Sequence, residues 1–156
     1  MRVVFLDFDG VLNSAKYRST VKDCHRDFID ERKLEQLGEF VREVGAEIVL
    51  STSWRRFWNE GEKQEHPEGE IINLLFAKYG MKIYSKTECF DNNRNLEITD
   101  WLSRHNVENY VIFDNFDFFW SATNRAHFVK TNDAREGLSP YDLAVAKYIL
   151  CPKEDI

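Results

Sequence analysis

The sequence predicts an α/β fold, a doubly wound (Rossmann-like) parallel sheet of five main strands in the order 3-2-1-4-5 with helices on both faces. Three observations lead to this prediction. Apolar runs of strand length alternate with amphipathic stretches of helical length. The runs are almost continuously apolar, as in strands that are buried on both faces. Three of them end in polar residues, and the length of 156 residues suits a single domain over residues 1–156.

The predicted strands are short runs rich in β-branched and aromatic residues. The first reads RVVFLDF, and the others resemble it in having few polar residues before their ends. The five strands are predicted over residues 2–8, 46–51, 81–85, 110–114 and 127–131.

The predicted helices place apolar residues at helical spacing and have recognisable ends. Asp30 is a candidate N-cap for the first of them, and Gly45 suits the left-handed residue that ends it. Ser139 followed by Pro140 begins the last one. The helices are predicted over residues 30–44, 70–80, 95–105 and 139–150. Strands alternating with helices in this way are typical of a parallel sheet with right-handed crossovers.

Composition and charge exclude several classes of protein. The net charge of −6 argues against broad, sequence-independent binding to nucleic acid. The three cysteines are widely spaced and form no CxxC pair, which indicates a reducing compartment rather than a disulfide framework or a zinc site. No apolar stretch approaches the roughly 20 residues of a membrane span, and the charged first residues do not resemble a signal peptide. We therefore expect a cytoplasmic protein without membrane contact, and composition does not indicate its oligomeric state.

Polar residues follow three of the predicted strands. They are Asp7 and Asp9 after the first strand, Ser51 and Thr52 after the second, and Asp114, Asn115 and Asp117 after the fourth. Because an unpaired buried charge is costly, such acids are either solvated or take part in chemistry. Ligands of parallel sheets bind beyond the carboxyl ends of the strands. We therefore expect the three sets to meet in one site, which favours chemistry.

Two carboxylates at one strand end suit a metal-assisted phosphoryl transfer. Asp7 would attack as an ionised nucleophile, anchored by Mg²⁺ together with Asp114, because Mg²⁺ prefers oxygen ligands. Asp9 would protonate the leaving oxygen and later deprotonate the water that clears the aspartyl-phosphate. Gly10 permits a tight turn whose N–H groups approach phosphate oxygens, and Ser51 is a neutral donor to the same oxygens.

The segments LDFDGVLN, IVLSTSW and VIFDNFD resemble the first, second and fourth motifs of the haloacid dehalogenase (HAD) superfamily of phosphatases. The resemblance implies that Asp7 is the nucleophile and Asp9 the acid/base. It implies a magnesium ion held by Asp7, the backbone carbonyl of Asp9 and Asp114. It also implies that Ser51 and Thr52 of the second motif contact the substrate phosphate.

Two positions depart from the superfamily pattern or are ambiguous in it. The fourth motif usually carries a second acid, whereas Asn115 follows Asp114 here and the next acid is Asp117. Both Asn115 and Asp117 are therefore candidates for this part of the site. The third motif is a Lys or Arg that balances the phosphate charge, for which Arg94 is the first choice and Lys86 the second.

Many superfamily members have a lid domain that encloses small substrates, but the corresponding segments of this sequence are too short to form one. Only residues 14–29 follow the first motif and residues 55–69 the second, so we expect no large cap domain. The resulting open site favours a large substrate such as a polynucleotide end or a phosphoprotein.

Smaller details, such as STSWR, further resemble a bacterial and phage branch that includes phosphatase-like domains of RNA-repair assemblies. The predicted function is a Mg²⁺-dependent phosphomonoester hydrolase. The alternative is a degenerate module that keeps the fold and the metal but hardly turns over, which Asn115 suggests. The cluster WRRFW at 54–58 offers stacking surfaces for bases, but we favour packing of its rings and pairing of its arginines with acids.

Overall fold

The computed structural model describes residues 1–153 and confirms the predicted α/β architecture. Its parallel sheet has the strand order 3-2-1-4-5, as predicted. The strands are β1 (Arg2–Leu6), β2 (Ala46–Leu50), β3 (Ile83–Lys86), β4 (Asn109–Asp114) and β5 (Phe128–Lys130). The helices are α1 (Ala15–Thr20), α2 (Glu31–Val44), α3 (Pro67–Lys78), α4 (Arg94–Ser103), α5 (Ala122–Arg125) and α6 (Pro140–Leu150), with a 3-10 helix over Ser53–Phe57.

The central strand β1 is buried on both faces of the sheet. Val4 and Leu6 belong to a core that α2, α3 and α6 cover, whereas Val3 and Phe5 point into a second core beneath α4. Alternate residues of a strand face opposite sides of its sheet. Because both sides are covered by helices, the strand is apolar at nearly every position.

Helix ends follow the predicted signals. The side chain of Asp30 accepts from the backbone N–H of Arg32 at the start of α2, and Gly45 ends that helix with a φ of 64°. Ser139 and Asp142 exchange side-chain-to-backbone hydrogen bonds at the start of α6. These contacts satisfy backbone groups that have no partner within the helix.

Helix α3 begins at Pro67, earlier than the predicted residue 70. The prediction missed its first turn because that turn is polar and does not continue the apolar pattern. The short helices α1 and α5 and the 3-10 helix were not predicted. Elements of this length show no hydrophobic period, and α1 contains no buried residue. The other boundaries differ from the prediction by a residue or two, within the usual uncertainty of element ends.

The register of the sheet brings three strand ends to one level. Leu6 of β1 pairs with Leu50 of β2 on one side and with Phe113 of β4 on the other. The residues that follow these partners therefore lie side by side at the carboxyl edge. Within the described chain, residues 14–29 and 55–69 contain only α1, part of the 3-10 helix and the first turn of α3, and no separate cap domain. No helix among residues 1–153 is long and apolar enough to cross a bilayer.

Candidate active site

Two buried carboxylates meet where β1 and β4 end. Asp7 is 8% exposed and Asp114 is completely buried. The backbone N–H of Asp7 donates to the carbonyl of Phe113 at 3.1 Å, which places the two aspartates on neighbouring strands at the same level. Burial, followed by the charge of Asp114, raises the pKa of Asp7 well above its ordinary value, although Arg94 and Thr52 oppose the shift. Burial also raises the pKa of Asp114.

The guanidinium of Arg94 is the cation that contacts this pair. Its Nη1 lies 3.2 Å from Oδ2 of Asp114 and 3.8 Å from Oδ1 of Asp7. Arg94 is the first residue of α4 and is itself buried, with the ring of Phe118 4.9 Å from its Cζ. Because two carboxylates face one guanidinium, the group is short of positive charge.

A second buried ion pair lies behind Arg94. Glu97 is completely buried, and its Oε2 accepts from Nη2 of Arg55 at 2.9 Å. Nε of Arg94 lies 3.6 Å from the other oxygen of Glu97. Arg55 also donates to the carbonyls of Ser51 and Thr52, at 2.9 and 3.0 Å. Glu97 thereby connects the loop after β2 with the cation of the site, and Arg55 pairs with an acid as we expected.

Ser51 carries a buried hydroxyl with no partner among the described residues. The residue is fully buried, and its backbone N–H donates to the carbonyl of Leu6 at 3.1 Å, but Oγ makes no hydrogen bond. Buried hydroxyls are normally satisfied, because an orphaned polar group costs free energy. Thr52, the next residue, accepts from the backbone N–H of Trp54, and its side chain opposes the rise in the pKa of Asp7. Ser51 Oγ is therefore available to a ligand oxygen.

Gly10 turns the chain sharply after Asp9. Its φ is 79°, and a Cβ at this position would lie 2.5 Å from Cγ of Asn115. The hydroxyl of Thr131 donates to the Gly10 carbonyl at 2.6 Å. Only glycine fits this left-handed turn beneath Asn115 without strain. Asn115 thus packs over the turn of the first motif.

The carboxylate of Asp9 is exposed but held by two donors. Nδ2 of Asn13 donates to Oδ1 and Nε1 of Trp54 donates to Oδ2, each at 3.0 Å. Oδ1 of Asn13 in turn accepts from the backbone N–H of Gly10 at 2.9 Å. The two aspartates of LDFDGVLN therefore occupy different environments: Asp7 is buried among charges, and Asp9 lies at the surface between neutral donors.

Two predicted site residues are engaged elsewhere. The ammonium of Lys86 donates to the backbone carbonyls of Arg55 and Trp58. Asp117 is exposed and forms two hydrogen bonds with Arg125, at 2.9 and 3.0 Å, which lower its pKa. Of the two candidate cations, the one with contacts to the buried carboxylates is therefore Arg94.

Comparison with known families agrees with this arrangement. A model of the HAD domain in Swiss Army Knife RNA repair proteins matches residues 3–143. The chain belongs to this family. The match includes all three of the polar strand ends described above and supports a HAD-type hydrolase in general. No curated protein and no solved structure is significantly similar to this HAD domain.

The donor set of this HAD domain fits a hard cation such as Mg²⁺, which HAD proteins generally use. Within residues 1–153, no three His, Cys, Asp or Glu side chains are grouped to hold a metal ion. Asp7 and Asp114 supply two carboxylates, and Mg²⁺ is commonly bound by one or two carboxylates with water and other oxygens. The excess of negative charge beside Arg94 provides the electrostatic reason for a cation at this point.

Sequence reasoning missed three residues of the HAD domain's site: Asn13, Trp54 and Glu97. Asn13 belongs to the quoted first motif and Trp54 to the second, but neither pattern indicates their contacts with Asp9. The role of Glu97 could have been predicted, because it lies four residues before Trp101 and thus on the buried face of α4. A carboxylate on an apolar helix face indicates a buried partner.

We predict that the metal-free HAD domain loses stability as pH rises from about 4 through the raised pKa values of Asp7 and Asp114. The folded state binds more protons than the unfolded state in this window, so the free energy of unfolding falls with pH. Urea unfolding in chelator at several pH values measures the slope. Comparison with Asp7→Asn isolates the pair, and equal slopes in the two proteins would contradict the prediction.

Proposed function

We propose that this HAD domain is a Mg²⁺-dependent phosphomonoester hydrolase that forms an aspartyl-phosphate on Asp7. The observation that carries the proposal is the buried pair of Asp7 and Asp114 against the single cation Arg94. Buried carboxylates with raised pKa values cluster at functional sites. Family membership supports hydrolysis in general.

In the first step Asp7 attacks the phosphorus atom and the ester P–O bond breaks. Asp9 gives its proton to the leaving oxygen, so the alcohol departs neutral while the phosphoryl group is carried by Asp7. Asp9, now ionised, takes a proton from water in the second step. That water attacks phosphorus, which releases inorganic phosphate and restores Asp7 as a carboxylate and Asp9 as an acid.

Other side chains of the chain would bind the phosphoryl oxygens. The unpaired hydroxyl of Ser51 can donate to one of them. The N–H groups of the turn do not have the phosphate role that the sequence predicted, because Gly10 donates to Asn13 and Val11 donates to the carbonyl of Phe8. Arg94 balances part of the negative charge. Asp7, Asp114 and the backbone carbonyl of Asp9 would hold Mg²⁺. When bound, Mg²⁺ supplies positive charge that neutralises the carboxylates and the substrate phosphate.

We propose a phosphorylated polynucleotide end as the substrate. The carboxylate of Asp9 is exposed at the mouth of the site, and no cap domain covers it in the described chain. An open site admits the end of a long molecule but offers little surface to enclose a small metabolite. The description of the matched family, HAD domains in RNA repair proteins, supports a nucleic-acid substrate over a phosphoprotein.

A phosphatase panel tests the activity and the substrate class. It compares oligonucleotides carrying 3′- or 5′-phosphate with phosphopeptides, nucleotides and sugar phosphates, in Mg²⁺ and in chelator. We expect Mg²⁺-dependent hydrolysis, with kcat/KM for one oligonucleotide end at least about tenfold above that for the small phosphates. Preference for a sugar phosphate would contradict the polynucleotide proposal, and preference for a phosphopeptide would replace it.

A thermal-shift measurement tests the metal site without relying on turnover. Mg²⁺ binds the folded state, so saturating Mg²⁺ should raise the midpoint of thermal unfolding. At about one hundred times Kd the stabilisation is about 2.7 kcal/mol. Asp114→Asn should lose most of this shift, whereas Asp100→Asn, on the exposed side of α4, should keep it. Equal shifts in the two variants would argue against a site at Asp114.

The second candidate function is a module that binds phosphate and metal without turnover. It is favoured by Asn115, which follows Asp114 where superfamily members usually carry another acid. Calorimetry distinguishes the two functions. Binding of Mg²⁺ and inorganic phosphate together with no hydrolysis across the panel would favour the module, and robust turnover would exclude it.

A further inference from the structure

Trp54 makes a contact that packing does not require. Its indole N–H donates to Oδ2 of Asp9 at 3.0 Å, at the surface, where water could satisfy the same donor. The other oxygen of Asp9 accepts from Asn13. An exposed carboxylate normally samples several rotamers, but one donor on each oxygen restricts both its position and the plane of the group.

The indole of Trp54 is itself fixed by its neighbours. It stacks on the ring of Phe28 with a centroid distance of 4.2 Å and an interplanar angle of 8°. His25 lies edge-on to it and Phe57 lies tilted against it, with centroid distances of 5.9 and 5.7 Å. Its backbone N–H donates to Oγ1 of Thr52, the N-cap of the 3-10 helix. The donor therefore has a fixed direction before substrate arrives.

Phe28 supports both donors of Asp9. Its ring carries the indole of Trp54, and its carbonyl accepts from Nδ2 of Asn13 at 2.7 Å, the same nitrogen that donates to Asp9. Asn13 is 1% exposed, so its amide has little freedom to rotate. Both donors are neutral, and Oδ1 of Asn13 also accepts from the guanidinium of Arg18 at 2.7 Å. The connection between β1 and α2 thus supports the first motif.

We infer that Trp54 is a positioning residue, whose indole N–H holds the Asp9 carboxylate in the orientation from which it exchanges a proton with the leaving oxygen. This inference rests on the proposed function, because it assumes that Asp9 is the acid/base of hydrolysis. The inference gives the second motif a role beyond phosphate contact, because Trp54, which follows β2, orients Asp9, which follows β1.

Trp54→Phe is the decisive substitution, because it keeps a ring over Phe28 and removes only the N–H donor. A general acid matters most for poor leaving groups, so two substrates separate its effect from other losses. We expect kcat/KM to fall about tenfold for ethyl phosphate and no more than about twofold for p-nitrophenyl phosphate. Asp9→Asn should show the same selectivity with a larger loss.

Trp58→Phe is the matched control. Trp58 belongs to the same loop, and its indole N–H donates to Oδ1 of Asn73 at 2.9 Å, so the substitution removes a comparable hydrogen bond. We expect changes within about twofold on both substrates. An equal fall on both substrates for Trp54→Phe, or no fall on either, would overturn the inference while leaving the proposed hydrolase intact.

The contact can also be observed without activity. In ¹⁵N-labelled protein, the indole N–H resonance of Trp54 is identified by its absence from the Trp54→Phe spectrum. Asp9→Asn should shift this resonance and leave that of Trp58 in place. An unshifted Trp54 resonance would overturn the inference. Absence of wild-type hydrolysis on both substrates would instead overturn the proposed function and, with it, the role of the contact in proton transfer.

Discussion

Asp7→Asn is expected to abolish phosphatase activity and at the same time to stabilise the metal-free protein. The amide is a poor nucleophile, so kcat should fall by at least about a thousandfold. The same substitution removes a buried charge that lies beside Asp114, and burial has already raised the pKa of Asp7. We therefore expect the unfolding midpoint in chelator to rise by about 3 °C, which corresponds to roughly 1 kcal/mol.

These opposite effects distinguish a catalytic carboxylate from a structural one. Substitution of a structural aspartate lowers activity only to the extent that it unfolds the protein. Asp7→Asn, by contrast, should give a protein that is folded, more stable and inactive. Asp100→Asn is the matched control, because the side chain of Asp100 pairs with Arg104 on the surface of α4, away from Asp7 and Asp114. Residual hydrolysis above about 1% of wild type in Asp7→Asn would sink the aspartyl-phosphate mechanism.

Glu97→Ala is expected to cause the largest loss of stability, about 3–5 kcal/mol. Glu97 is completely buried and lies between Arg55 and Arg94. Its removal leaves the buried guanidinium of Arg55 without its anion, whereas Arg94 keeps Asp114. Breaking one side of a buried ion pair costs more than the pair contributes, because the remaining charge stays desolvated. Urea unfolding measures the change, and phosphatase assays should show a parallel loss as Arg94 shifts.

Two further variants separate charge from shape at this position. Glu97→Gln keeps the length of the side chain and an acceptor for Arg55, so it should lose less stability than Glu97→Ala. Glu43→Ala removes an exposed partner of Lys147 and should change the free energy of unfolding by no more than about 1 kcal/mol. If Glu97→Ala were no more destabilising than Glu43→Ala, the buried network would have no structural role.

The carboxyl edge of the sheet could be predicted because buried parallel strands carry a strong signal. The apolar runs that end at Asp7, Ser51 and Asp114 were each visible in the sequence, and parallel topology requires such ends to share an edge. The residue types then indicated the chemistry. Strand order and strand ends together were therefore sufficient to predict that these residues lie at one edge of the sheet.

The supporting contacts could not be predicted in the same way. Trp54 and Asp9 are 45 positions apart, and Arg55 and Glu97 are 42 apart. No local period or cap links such pairs, because each contact depends on where a loop places a side chain. The choice between Arg94 and Lys86 was open for the same reason. That choice depends on where α4 lies relative to the end of β4, and the sequences of α4 and β4 do not specify this position.

The register between β1 and β4 has a consequence for how this family can diversify. Leu6 faces Phe113, so Asp7 and Asp114 inherit their separation from the spacing of adjacent strands, about 4.8 Å, rather than from any loop. The spacing of these two carboxylates therefore does not depend on the loops around them. Insertions or substitutions at the exposed positions of residues 19–24 can alter which molecule is admitted without moving these two aspartates. Selection for new substrates can therefore act on the periphery without rebuilding the centre.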